Sequence, residues 1–179
     1  MRIQDYQCSA YKNNSGSGLI EVAVGFMFFM VIVLTFLDLQ LVLHGATLND
    51  AIARDAARAA SAGPPGKLIE SKDRVLANND APFKRASSVV NSRRTTLSSP
   101  FEIADSIDVT ETVEPPIPSE LFGGPVMGTV TVRTTILIHP RFILGFLKIK
   151  TIPLTASKSF PYSWVIKSDM DGKSRNTHQ

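Results

Sequence analysis

The sequence predicts an α+β protein: a long N-terminal transmembrane helix that continues into a small exported head with a short antiparallel sheet. Three observations carry this. Residues 19–43 form an apolar run interrupted by only two acids, Glu21 and Asp38. An alanine-rich stretch follows and is stopped by Gly63-Pro64-Pro65. Three stretches rich in Val, Thr and Ile, at 107–113, 126–138 and 151–160, then read as strands. The 179 residues are 44% hydrophobic and 20% charged, which is too apolar for a disordered chain. The single cysteine, Cys8, excludes an internal disulfide and a Cys-based zinc site. A net charge of +3 with no dense basic stripe argues against a nucleic-acid partner.

Val22 to Leu37 contains no charge, and at 1.5 Å per residue it spans about 24 Å of helix. Its apolar flanks extend it to the ~30 Å of a bilayer's hydrocarbon. A core helix at a domain surface would show a polar stripe, and this segment is apolar on every side. A secretory signal peptide would have a shorter apolar stretch and a small-residue cleavage site close behind it. Ahead of the run, residues 1–16 form a polar leader with Arg2 and Lys12 against Asp5. A positive leader favours the cytoplasmic side, so the head beyond residue 43 is expected to be exported.

The junction reads Ser15-Gly16-Ser17-Gly18-Leu19-Ile20-Glu21-Val22. It resembles the processing site of type IV prepilins and pseudopilins, which are cut after the glycine. The resemblance implies cleavage between Gly16 and Ser17, with Glu21 as the fifth residue of the mature chain. Gly16 carries no side chain to obstruct an extended fit in a peptidase cleft. A carboxylate within a bilayer is costly and needs a partner. The resemblance supplies one: Glu21 sets register by pairing with the amine of Ser17 on a neighbouring subunit. Alternatively, Glu21 is an interfacial residue reaching toward lipid headgroups.

Residues 44–62 should extend the helix, because alanine is its best former. Asp50 with Arg54 and Asp55 with Arg58 have the spacing of helix ion pairs. Gly45 is a place where the helix could bend, and Gly63 could take a left-handed cap. The run Ala53-Arg54-Asp55-Ala56-Ala57-Arg58-Ala59-Ala60 resembles the segment after the membrane helix in TadE-like proteins, the pseudopilins or minor pilins of tight-adherence (Flp pilus) systems. The strands at 130–138 and 152–158, with the apolar loop 142–147 between them, are similar to that family's closing strands. The implied partners are a prepilin peptidase, other pilins or pseudopilins, the inner-membrane pilus assembly platform and the lipid bilayer. The implied location is the bacterial inner membrane, single-pass with the N-terminus cytoplasmic, and from there a surface pilus. The domains are then a leader (1–16), a transmembrane and extended helix (17–62), an exported head (63–168) and a disordered tail (169–179).

Within the head, residues 67–99 carry seven basic and three acidic residues and read as one or two polar helices, broken at Asn78–Pro82. Residues 100–120 hold six acids and no Lys or Arg. They read as a solvated face or as a patch meeting the basic segments, since no calcium-loop spacing occurs. Pro153 places the last strand at an edge or at its own first residues. No catalytic, cofactor-binding or metal site is expected. No serine sits in a Gly-x-Ser-x-Gly turn, and His44, His139 and His178 have no neighbouring acid. His44 is expected at headgroup level, and His139 in a structural turn. Two other readings remain: a single-pass anchored envelope binding protein that never assembles, and a type II secretion pseudopilin.

Overall fold

The computed structural model describes residues 15–66, 74–117 and 123–167. Leader residues 1–14, the segments 67–73 and 118–122, and the tail with His178 lie outside them. One helix, α1 (Ser15–Ser61), runs without interruption and is about 70 Å long at 1.5 Å per residue. The chain then forms β1 (Arg74–Val75), α2 (Ala81–Thr96), β2 (Phe101–Ile103), β3 (Asp108–Glu114), β4 (Gly124–Ile138), α3 (Ile143–Phe146) and β5 (Ile152–Ile166).

All five strands join one antiparallel sheet with β4 at its centre. β3 and β2 pair with successive stretches of one side of β4, and β5 pairs along the whole of the other. β1 adds to the outer side of β3. The alternation expected of half-buried strands is present. The even-numbered residues Val126, Val130, Val132, Ile136 and Ile138 of β4 are buried, as is Val109 of β3. This face packs on α1 through Ile52, Ala53, Ala56, Ala57 and Ala60, and on α2 through Ala86 and Val90. Alanines at three- and four-residue spacing form one smooth helix face, so helix and sheet approach closely.

Several expectations need correction. Residues Arg74–Val75 form a strand rather than part of a polar helix, because the edge of β3 is open to them. β2 is an additional strand, and β5 continues six residues beyond the expected Phe160. Pro153 and Pro161 fit because β5 is an edge strand. His139 N–H bonds to Pro100 O and Ala104 N–H to Thr135 O, so odd-numbered β4 residues direct their backbone toward β2. Pro153 and Pro161 oppose the odd-numbered Leu137 and Thr129, so their missing N–H groups fall on the open edge.

Gly45 is no bend. A Cβ there would stand 2.4 Å from Ile138 Cδ1, so the glycine admits the end of β4 against the helix. Gly63 does not take a positive φ; the described glycines that do are Gly123 and Gly124. Instead, Arg85 of α2 donates to the carbonyls of Ala59, Ala60 and Pro64 and caps α1. A guanidinium at a helix C-terminus meets both the free carbonyls and the negative end of the dipole. A Cβ on Gly63 would stand 2.8 Å from Arg85 Nη1, so the glycine makes room for that cap. Asp55 pairs with Arg93 of α2 at 3.0 Å rather than with Arg58, which lies over the Phe160 ring. Asp50 does meet Arg54, and also Lys158 at 2.7 Å. The hydrogen bond from Lys158 is the main reason the Asp50 carboxyl is held below its ordinary range.

Candidate functional site

The residues singled out at the N-terminal junction all fall on α1. Gly16 and Ser17 are in helical conformation, so presentation of an extended scissile bond would need local unwinding of the first turn. Ser15-Gly16-Ser17-Gly18 is the weakest helix former in α1, since each glycine costs about 1 kcal/mol relative to alanine. Glu21 is exposed, one turn into the helix. It stands 17 residues before Asp38, about 26 Å along the axis.

Between them the helix is bare. No residue from Gly18 to Leu37 is buried, and Phe26, Met27, Phe28 and Phe29 are all more than half exposed. This segment is about 30 Å long, which matches the hydrocarbon thickness of a bilayer. From Asp38 onward the same helix becomes the spine of the head, so its two halves have different surroundings.

Asp38 marks the change. It is buried at 2% exposure, and its two carboxylate oxygens accept from the N–H groups of Phe142 (3.4 Å) and Leu144 (2.8 Å). A helical acid thus caps the first turn of α3 and fastens the loop between β4 and β5 to α1. The apolar-run pattern contained a signal for this, because Asp38 is the one charge in its second half. His44 lies six residues further on, about 9 Å along the axis, with its ring tilted on Phe101 at 5.5 Å.

Two further buried polar residues make hydrogen bonds between distant parts of the chain. Asn49 donates through Nδ2 to the carbonyls of Leu154 (2.8 Å) and Thr134 (3.3 Å), and accepts from Thr134 Oγ1 at 2.8 Å. It therefore ties α1 to both β4 and β5. Glu111 is the second, and it is the exception to the reading of residues 100–120 as a solvated face, since Glu102, Asp105, Asp108 and Glu114 are exposed. It is 1% exposed and accepts the Gly66 N–H on both oxygens, at 3.1 and 3.2 Å. Burial, and then the nearby Glu111 carboxylate, raise the Tyr162 phenol well above its ordinary range and keep it neutral. Of the other acids there, Asp105 pairs with Arg94 at 3.3 Å and Glu102 lies 3.2 Å from His139 Nε2. These two acids thus meet basic groups within the same chain. The spacing of strand residues puts odd-numbered Glu111 on the covered face, a signal hidden by its being an acid.

Among the described residues, no three His, Cys, Asp or Glu side chains gather as metal ligands. Two hollows in the head are open surface depressions. One is lined by Asn91, Arg94, Asp105 and Ser106 beside α2, the other by Thr110, Thr131, Arg133 and Ser157 on the uncovered sheet face. Neither brings a histidine to a serine. Fold and site define the class: one helix near the N-terminus, long and apolar enough to cross a membrane, carrying a small α+β head with an antiparallel sheet. Comparison with known proteins finds no matching family model, no matching curated protein and no matching solved structure.

Proposed function

We propose that this chain is a minor pilin or pseudopilin of a tight-adherence (Flp) type IV pilus, processed after Gly16 and assembled through its apolar helix. The observation that carries the reading is the division of α1. Its first half is bare and apolar between Glu21 and Asp38, and its second half is the spine of the head. Such a helix can pass from a bilayer into a filament core, since both offer an apolar surround. Lateral packing of Val22–Leu37 then supplies contact between subunits. Glu21, in an apolar surround, sets register through the Ser17 amine of a neighbour. The peptidase, the other pilins and the inner-membrane platform act before and during that transfer.

Glu21→Ala is expected to leave membrane insertion intact, because it removes a charge from the edge of the span. Incorporation into sheared pili should fall at least about tenfold, since breaking a charge pair in a low-dielectric surround costs more than the 1.4 kcal/mol that tenfold represents. Immunoblots of pilus and membrane fractions measure both. Undiminished incorporation of the variant would contradict the register role, and absence of the unaltered chain from sheared pili would favour the unassembled anchor.

A further inference from the structure

The loop between β4 and β5 has a feature that neither the sheet nor the helix anchor requires. Phe146 is 87% exposed and Leu147 62%, next to Lys148 and Lys150. These apolar groups do not dangle from a loose loop. Leu147 N–H bonds to Ile143 O, Lys148 N–H to Gly145 O, and Ile149 N–H to Leu144 O, which closes α3 with a left-handed residue. That residue is Lys148, at φ 62°, where glycine is the usual choice. The base of the loop is tied as well. His139 Nδ1 donates to Lys150 O at 3.3 Å, and Arg141 donates to Ser99 Oγ.

The position of this knob is set by Asp38, which holds the Phe142 and Leu144 N–H groups at the point where the bare helix ends. The knob therefore lies at the level where hydrocarbon gives way to headgroups. From His139 to Lys158 the chain has no acid, and Arg141, Lys148 and Lys150 flank the apolar tip. Exposed apolar side chains flanked by cationic ones are the pattern of an interfacial anchor on an anionic surface.

We propose that the α3 loop is a membrane foot. It seats the head on the adjacent leaflet by inserting Phe146 and Leu147 among the acyl chains, with Lys148 and Lys150 on the phosphates of anionic lipids. This rests on α1 spanning the bilayer but not on filament assembly. A foot would fix the tilt and rotation of the head before any partner is met.

The test uses the full-length chain in phosphatidylcholine–phosphatidylglycerol nanodiscs with brominated acyl chains. Its native Trp164 lies on β5, twelve residues from the loop end of the strand. Three single-tryptophan forms are compared: the native chain, Trp164→Phe with Phe146→Trp, and Trp164→Phe with Phe26→Trp as the reporter of the span. The tryptophan at 146 should lose emission to brominated chains as the one at 26 does, and should be shielded from iodide, while Trp164 stays open to iodide. With Lys148→Glu and Lys150→Glu added, the loss at 146 should cease to grow with phosphatidylglycerol content. If position 26 is lipid-quenched but 146 is open to iodide, the foot is overturned and the tip is left for a protein partner. If position 26 is not quenched either, the spanning helix itself is wrong.

Discussion

Replacing Asn49 by leucine should destabilise the head by about 3 kcal/mol, because it strands the buried Thr134 hydroxyl and removes three hydrogen bonds at once. Leucine is close in size, so the loss is polar rather than a packing defect. A buried donor left without an acceptor costs about 1–3 kcal/mol, and each ordinary hydrogen bond lost adds about 1 kcal/mol. The two carbonyls keep their partners in the β4–β5 ladder, which limits the damage there. Adding Thr134→Val should recover part of the loss, since it takes away the orphaned hydroxyl. Urea unfolding of the full-length chain in detergent, followed by Trp164 emission, reads both. A shift within about 0.5 kcal/mol for Asn49→Leu alone would place Asn49 among ordinary surface substitutions and contradict the tie.

Glu111→Lys should be more damaging still, about 3–5 kcal/mol, while Glu114→Lys three residues away should change stability by less than about 0.5 kcal/mol. Both residues lie on β3, but Glu111 is buried and Glu114 exposed. A lysine at 111 would place an unpaired cation near the Arg85 guanidinium and leave the Gly66 N–H without its acceptor. A Cβ on Gly66 would already stand 2.8 Å from Glu111 Oε2, so the site has no slack for a longer side chain. The same unfolding assay measures the contrast. Equal small effects at the two positions would show that Glu111 is solvated after all. The contrast also bears on assembly experiments: reversing both charges together would unfold the head before it could report on any contact between subunits.

Much of this architecture was legible in the residues, and what was not shares a cause. The long helix follows from an apolar run joined to alanines, and β3, β4 and the first part of β5 follow from Val, Thr and Ile in alternation. Those are local signals. β1 is two residues long and exists because β3 has an open edge; β2 is three residues long and exists because β4 extends past β3. β5 runs on past Phe160 because Pro161 sits where no ladder bond is lost. At Gly45 the helix is unbroken, and Gly63 takes no left-handed cap. Each leaves space for another element, Ile138 in one case and Arg85 in the other. The polar anchors were the least legible. Asp38, Asn49 and Glu111 each sit on a covered face, where their partners come from residues 45 to 106 positions away in the chain. The junction residues Gly16, Ser17 and Glu21 stand apart from this, because their reading comes from a motif rather than from packing.

The proposal depends first on whether the bond after Gly16 is cut. The most direct test is mass spectrometry of the mature N-terminus, on protein extracted from membranes of cells with and without their prepilin peptidase. The account predicts a chain that begins at Ser17, 16 residues shorter than the precursor, only where the peptidase is present. A chain that still begins at Met1 in both would contradict it and leave a single-pass anchored head that never enters a pilus.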